Sequence, residues 1–155
     1  MIEAWLALGL LAPLLLLVAL VDGRTGRIPD GLNAAIAALG LASLLFGSDA
    51  ALLPARLLDA AILGVLLLLV RHLYRALRGR TGLGLGDVKF LSAATLWTGL
   101  ALMPLVILLA CLSGLLEVGV RALRGGRIRG DMRLRFGPHL ALGLFAVLLA
   151  DRLTG

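Results

Sequence analysis

Cysteine occurs once in this chain, at Cys111, and histidine twice, at His72 and His139. No disulfide can close within it, and no cysteine-based zinc site can form. The two histidines are far apart in sequence, which leaves little material for a His-based metal centre or nucleophile. Nine acidic residues stand against fifteen basic ones. Also missing is any polar stretch long enough to fold as a separate soluble unit, which removes soluble catalytic modules and nucleic-acid enzymes. A net charge of +6 would suit a nucleic acid, but nearly all the arginine lies between apolar runs, as membrane insertion requires. No nucleic-acid partner is expected.

What the chain does have is apolar length. Of its 155 residues 61% are hydrophobic, where soluble domains average roughly 45–50%, and mean hydropathy is +1.05. A membrane β-barrel would alternate over ~10-residue segments; unbroken leucine runs do not. The expected class is an all-α polytopic transmembrane helical bundle, one membrane-embedded domain over residues 1–155, with the lipid bilayer as its solvent. Met1-Ile2-Glu3 precedes 18 uncharged residues, Ala4 to Val21, enough to cross a ~30 Å core. Without the positive flank of a cleavable signal, this reads as a retained first helix.

Apolar segments fall at 4–21, 32–47, 57–73, 88–101, 103–120 and 138–153. No charge separates Lys89 from Glu117, a run too long for one crossing of ~20 residues, and Gly99 and Pro104 flank a plausible tight turn. That makes about six helices. The first, third and fifth connections with their flanks carry two, five and six basic residues, thirteen of the fifteen in the chain. The positive-inside rule then puts both termini outside and these connections in the cytoplasm. Five helices would place the fifth connection's six arginines outside. The arginine-rich stretch 121–135 reads as a surface segment on anionic head groups.

Two acids stand out in this topology. Asp87 ends the glycine-rich Gly84-Leu85-Gly86-Asp87 and opens an apolar segment, and Asp22 closes the first. A carboxylate at the lip of a membrane helix is expensive and a functional candidate by default. Both lie on the cytoplasmic side at similar depth, so they are free to meet; Asp49 and Asp59 fall on the other side. Two facing carboxylates can share one proton. The ionised member takes a proton from water while the protonated one polarises a carbonyl, which hydrolyses a peptide with no cofactor, metal or covalent intermediate. Gly84 and Gly86, lacking Cβ, reach unusual backbone angles and admit a second chain, and an extended substrate could pair with such a segment; alternatively they form a plain flexible loop.

Gly84-Leu85-Gly86-Asp87-Val88-Lys89 resembles the GxGDxK motif of the prepilin peptidases, the type IV leader peptidase family of membrane aspartic endopeptidases. Asp22-Gly23-Arg24-Thr25-Gly26-Arg27-Ile28-Pro29-Asp30 is similar to the family's other acidic motif, and Phe136-Gly137-Pro138 to the start of its last helix. The resemblance implies Asp22 and Asp87 as catalytic dyad, with Gly84, Gly86, Lys89, Pro29 and Asp30 shaping the site or binding substrate. It implies cleavage of the basic leader from type IV prepilins or pilin-like secretion proteins just before their apolar helix, at the cytoplasmic face of the bacterial inner membrane. Asp30 stands where the family usually has Asn; capping of the second helix is the favoured reading, modulation of the dyad the other. Lys89 either stabilises an ionised Asp87 or snorkels to the interface. Many members carry a Cys-rich zinc-binding, methylating domain; with no cysteine pairs, this chain resembles the short peptidase-only form.

Other residues receive structural readings. Glu117 is placed to pair with Arg121, four residues on, and His139 to support a helix start. A presenilin-like enzyme would need a Tyr-Asp pair and a Pro-Ala-Leu motif, and Val21 precedes Asp22. A non-enzymatic assembly or proton/ion-transport protein using the same acids is the rival from another class. It would place acids deep in several helices, whereas Asp22 and Asp87 share one interface.

Overall fold

The structure is a computed structural model that describes residues 2–47, 49–80, 82–124 and 134–154. Among these residues five α-helices, α1 (Ile2–Thr25), α2 (Asp30–Phe46), α3 (Leu53–Arg78), α4 (Leu85–Leu123) and α5 (Gly137–Thr154), follow one another with one 3-10 turn, Ala50–Leu52, before α3. Trp5–Thr25, Ala50–Arg78 and Leu85–Leu123 are long and apolar enough to cross a membrane, and α2 is a shorter apolar helix. The chain is a helical membrane bundle. Its arginine-rich stretch falls largely at 125–133, outside the described residues.

Local sequence sets the helix ends. α1 stops where Gly26 takes φ 67° and returns its N–H to the Asp22 carbonyl at 2.8 Å; Gly79 ends α3 in the same left-handed way on Arg75. Glycine is the residue that enters this region without steric cost. Pro54 sits in the first turn of α3, where its missing N–H matters least. Pro13 lies inside α1, which membrane helices tolerate.

α4 has 39 residues but is not one rod, because Gly99 breaks it at φ 72°, ψ 172°. Contacts on either side show that the chain reverses there. Gly86 lies against Ile28, beyond the end of α1, and Glu117 reaches His139, at the start of α5. The limbs 85–98 and 100–123 therefore run antiparallel, and six helical passes result. The reversal is tighter than a turn spanning Gly99 to Pro104. Gly99 makes it alone, the helix resumes at Leu100, and the Leu100 N–H is capped by the Asp59 carboxylate at 3.0 Å. The Pro104 ring then opposes the carbonyl of Leu100 at the helix's very start, where little ladder is lost.

The limb 85–98 is the centre of the bundle. Val88, Phe90, Leu91 and Ala93–Leu96 are buried in it. α2 and α3 lie against it, Trp97 donating its indole N–H to the Ile36 carbonyl at 3.0 Å. α5 packs on the second limb so closely that a Cβ at Gly143 would lie 2.6 Å from the Val106 carbonyl. The stripe Leu8, Leu11, Leu15 and Val18 of α1 is buried too, at the spacing of one helical face. α3, by contrast, leaves Leu58, Leu66, Leu69 and Leu73 outward. In lipid that costs nothing, since acyl chains are as apolar as leucine.

Candidate active site

The last turn of α1, the first turns of α2, α4 and α5, and the last turn of α3 meet at one end of the bundle. Every motif singled out in the sequence comes to that end. Asp59 and Asp49 belong to the other, since Asp59 caps the Gly99 turn and Asp49 precedes the 3-10 turn.

Asp22 is 5% exposed. It stands near the C-terminal end of α1, where a carboxylate meets the negative pole of its own helix. The compensation comes from α5: the backbone N–H of Gly137 donates to Asp22 Oδ2 at 2.9 Å. Phe136 accepts the first turn's bond from Leu140, so Gly137 is the first residue of α5 and offers one of its unused donors. Only glycine fits, for a Cβ at position 137 would lie 2.6 Å from Asp22 Cβ. Arg135 donates to the Gly23 carbonyl and fastens the same junction. The Phe-Gly-Pro sequence thus holds Asp22, a role that its position gave no way to read.

Asp87 sits in the first turn of α4. Its carboxylate folds back to accept the Gly84 backbone N–H, as the acid of a capping box does. This also suits the positive end of the helix. Asp22 lies within Coulombic range of Asp87. The two acids named from sequence are brought together from helices 1 and 4.

Of the two expectations for the glycines beside Asp87, unusual angles and room for a close approach, the structure shows the second. Gly84 has ordinary extended angles, φ −68° and ψ 144°, and Gly86 is already helical. What they provide is room. A Cβ at Gly84 would be 2.8 Å from Asp87 Oδ2, and one at Gly86 3.3 Å from Ile28 Cβ. The segment that follows α1 therefore rests directly on the Gly86 turn. Asn33 of α2 closes the contact, its Nδ2 donating to the Gly86 carbonyl at 3.3 Å. Arg71 Nε holds the Leu83 carbonyl at 3.0 Å.

Asp30 and Lys89 also differ from expectation. Pro29 is the cap residue of α2, and no side chain caps that end. Asp30 instead binds Lys89 Nζ at 2.7 Å, so the ammonium is committed to Asp30 from the second turn of α4. Both side chains are exposed at the rim. Glu117 meets its expected partner Arg121 and, in addition, His139 at 2.8 Å. The other ring nitrogen of His139 lies 2.9 Å from Ser113 Oγ. This cluster pins the start of α5, two residues beyond the Gly137 N–H.

Residues 9–118 match the type IV leader peptidase family. The chain belongs to that family. Among curated proteins it is 41% identical over 143 residues to the prepilin leader peptidase/N-methyltransferase of Burkholderia pseudomallei, covering 92% of this chain and 45% of that protein. It is 37% identical over 142 residues to the protein of the same name from Pseudomonas aeruginosa, covering 90% and 48%. Against the one from Neisseria gonorrhoeae it is 30% identical over 155 residues, covering 96% and 50%. The chain thus spans about half the length of these leader peptidase relatives. No solved structure matches it. The matched residues include both Asp22 and Asp87 and end before α5, so the Gly137 contact lies beyond the family match.

Proposed function

We propose that this member of the type IV leader peptidase family is an aspartic endopeptidase that cleaves the leader from type IV prepilins or pilin-like secretion proteins, with Asp22 and Asp87 as its catalytic dyad. One observation carries the reading. Two acids from helices distant in sequence lie within Coulombic range at one end of a membrane bundle, each anchored by a backbone N–H. Two coupled carboxylates can share a proton, and the protonation states then belong to the pair. The ionised carboxylate accepts a proton from water as water attacks the scissile carbonyl, and the protonated one hydrogen-bonds the carbonyl oxygen. The tetrahedral intermediate collapses as the leaving amine is protonated. The backbone anchors hold both carboxylates in place, which is the kind of preorganisation that lowers such barriers. The basic residues of the odd-numbered connections support a cytoplasmic face for this end.

Membranes containing the protein, incubated with a prepilin, should yield a product whose new N-terminus lies at the start of the apolar helix. Asp22→Asn and Asp87→Asn proteins that insert normally should yield none. Product from either variant at the wild-type rate would overturn the dyad.

A further inference from the structure

A lateral groove of about 550 Å³ opens between α2 and α3, with the first limb of α4 as its floor. Small residues face each other across its middle, Ala34 and Ala37 from α2 and Ala60 and Gly64 from α3, with Leu57 and Leu68 at the two ends of the α3 wall. The spacings keep each pair on one helix face. Val88 continues the floor towards Asp87, one residue away, and Asn33 lines the groove near its dyad end. Asn33 Oδ1 is the one buried side-chain oxygen or nitrogen among the described residues that has no hydrogen-bond partner.

We infer that this groove receives the apolar helix of a membrane-anchored substrate, lying along α2 and α3 with its N-terminal end at the dyad. The inference rests on the peptidase reading and gives it a substrate-positioning surface. Three features select the occupant. Small residues on facing helices let another helix approach closely in lipid, which an acyl chain does not require. The groove ends at Leu85, Val88 and Lys89, in the same first turns of α4 that carry Asp87, so a chain leaving that end starts beside the proposed dyad. The orphan oxygen marks the polarity. The first turn of a helix has backbone N–H groups with no partner, and Asn33 offers the acceptor they lack at the end where that turn would lie. A lipid tail has no donor to give.

The test compares cleavage of a membrane-anchored prepilin with cleavage of a short peptide that stops after the scissile segment. Ala34→Leu and Ala60→Leu fill the groove, and Ala61→Leu, on the exposed side of α3, is the control. The ratio of kcat/KM for anchored over short substrate should fall about tenfold in both groove variants, the scale of an overpacked contact, and hold in the control. A second readout does not depend on kinetics. In a Cys111→Ser background, Ala37→Cys should form a disulfide with a cysteine placed in the substrate's apolar helix, and Ala61→Cys should not. An unchanged ratio and no adduct, in an enzyme that cleaves both substrates, would overturn the groove and leave the peptidase standing. Failure of the wild type to cleave either substrate would overturn both.

Discussion

At each end of the bundle a carboxylate from one helix accepts the first backbone N–H of another. Asp22 of α1 caps Gly137 of α5 at 2.9 Å, and Asp59 of α3 caps Leu100, where α4 resumes, at 3.0 Å. In both, a glycine makes the contact possible: Gly137 by lacking a Cβ, Gly99 by its positive φ. The neighbours differ. Beside the Asp59 contact lies a cation, the Arg56 guanidinium packed on Gly99. Beside Asp22 lies another acid, Asp87. A capped acid near a cation is a stable fastening, and its carboxylate has no further work. A capped acid coupled to a second acid is instead a candidate for chemistry. The same device therefore fastens one end and primes the other.

The largest effect expected is on the primed end. Asp22→Asn and Asp87→Asn should each reduce cleavage by about 10³-fold or more, the range seen when one member of a catalytic unit is removed. Asp59→Asn should leave cleavage per folded molecule unchanged. Equal losses at Asp22 and Asp59 would erase the distinction. Next comes Gly137→Ala. Its methyl would press on Asp22 Cβ and Cγ, 2.6 and 2.7 Å from the ideal position, and displacing it costs about 1–3 kcal/mol. Because the displaced atoms belong to the proposed dyad, the loss should appear in kcat as well as in stability. A variant with lowered thermal stability but normal kcat would reduce Gly137 to a packing residue.

Much of the comparison was legible in the sequence. Charge asymmetry put Asp22 and Asp87 on one side and Asp59 on the other, because insertion sorts arginines by side. The arrangement of apolar runs implied six passes, and Gly99 stood near the right break. What stayed hidden was side-chain pairing. Nothing in Phe136-Gly137-Pro138 says that its N–H serves an acid 115 residues earlier. Asn33 gave no sign that it would reach Gly86, since an asparagine in a helix's first turn is ordinary there. Lys89 has Asp87 and lipid as its partners in reach by sequence, while its actual partner, Asp30, comes from α2, whose packing against α4 the sequence does not encode locally. A glycine in sequence offers both unusual angles and space, and only the neighbours of Gly84 and Gly86 reveal that space is what they supply.

The fastened end gives the third prediction. Asp59→Ala removes the cap on Leu100 and should cost about 1 kcal/mol, the usual value of a helix cap, read as a lower unfolding temperature in detergent. Cleavage by the protein that remains folded should match the wild type. A fall in kcat with no change in stability would mean that the Gly99 turn communicates with the dyad, and the division between a fastening end and a working end would not hold.

The smallest effect expected is at the rim of the working end itself. Lys89 and Asp30 make a 2.7 Å pair with side chains 49% and 75% exposed, and pairs this open are worth about 0.2–1 kcal/mol and are screened by salt. A double-mutant cycle of Lys89→Met and Asp30→Asn should give a coupling in that range, shrinking as salt rises, with cleavage changed less than about threefold, which is what the upper part of that range supports. The cycle separates two uses of one ammonium. If Lys89 acted on the dyad, Lys89→Met would slow cleavage strongly while Asp30→Asn, by releasing the ammonium, would do the opposite or nothing. If the pair only ties α2 to α4, both substitutions act weakly and in the same direction. The geometry, with the ammonium drawn to Asp30, favours the second outcome, and only the signs of the two single variants are needed to decide it.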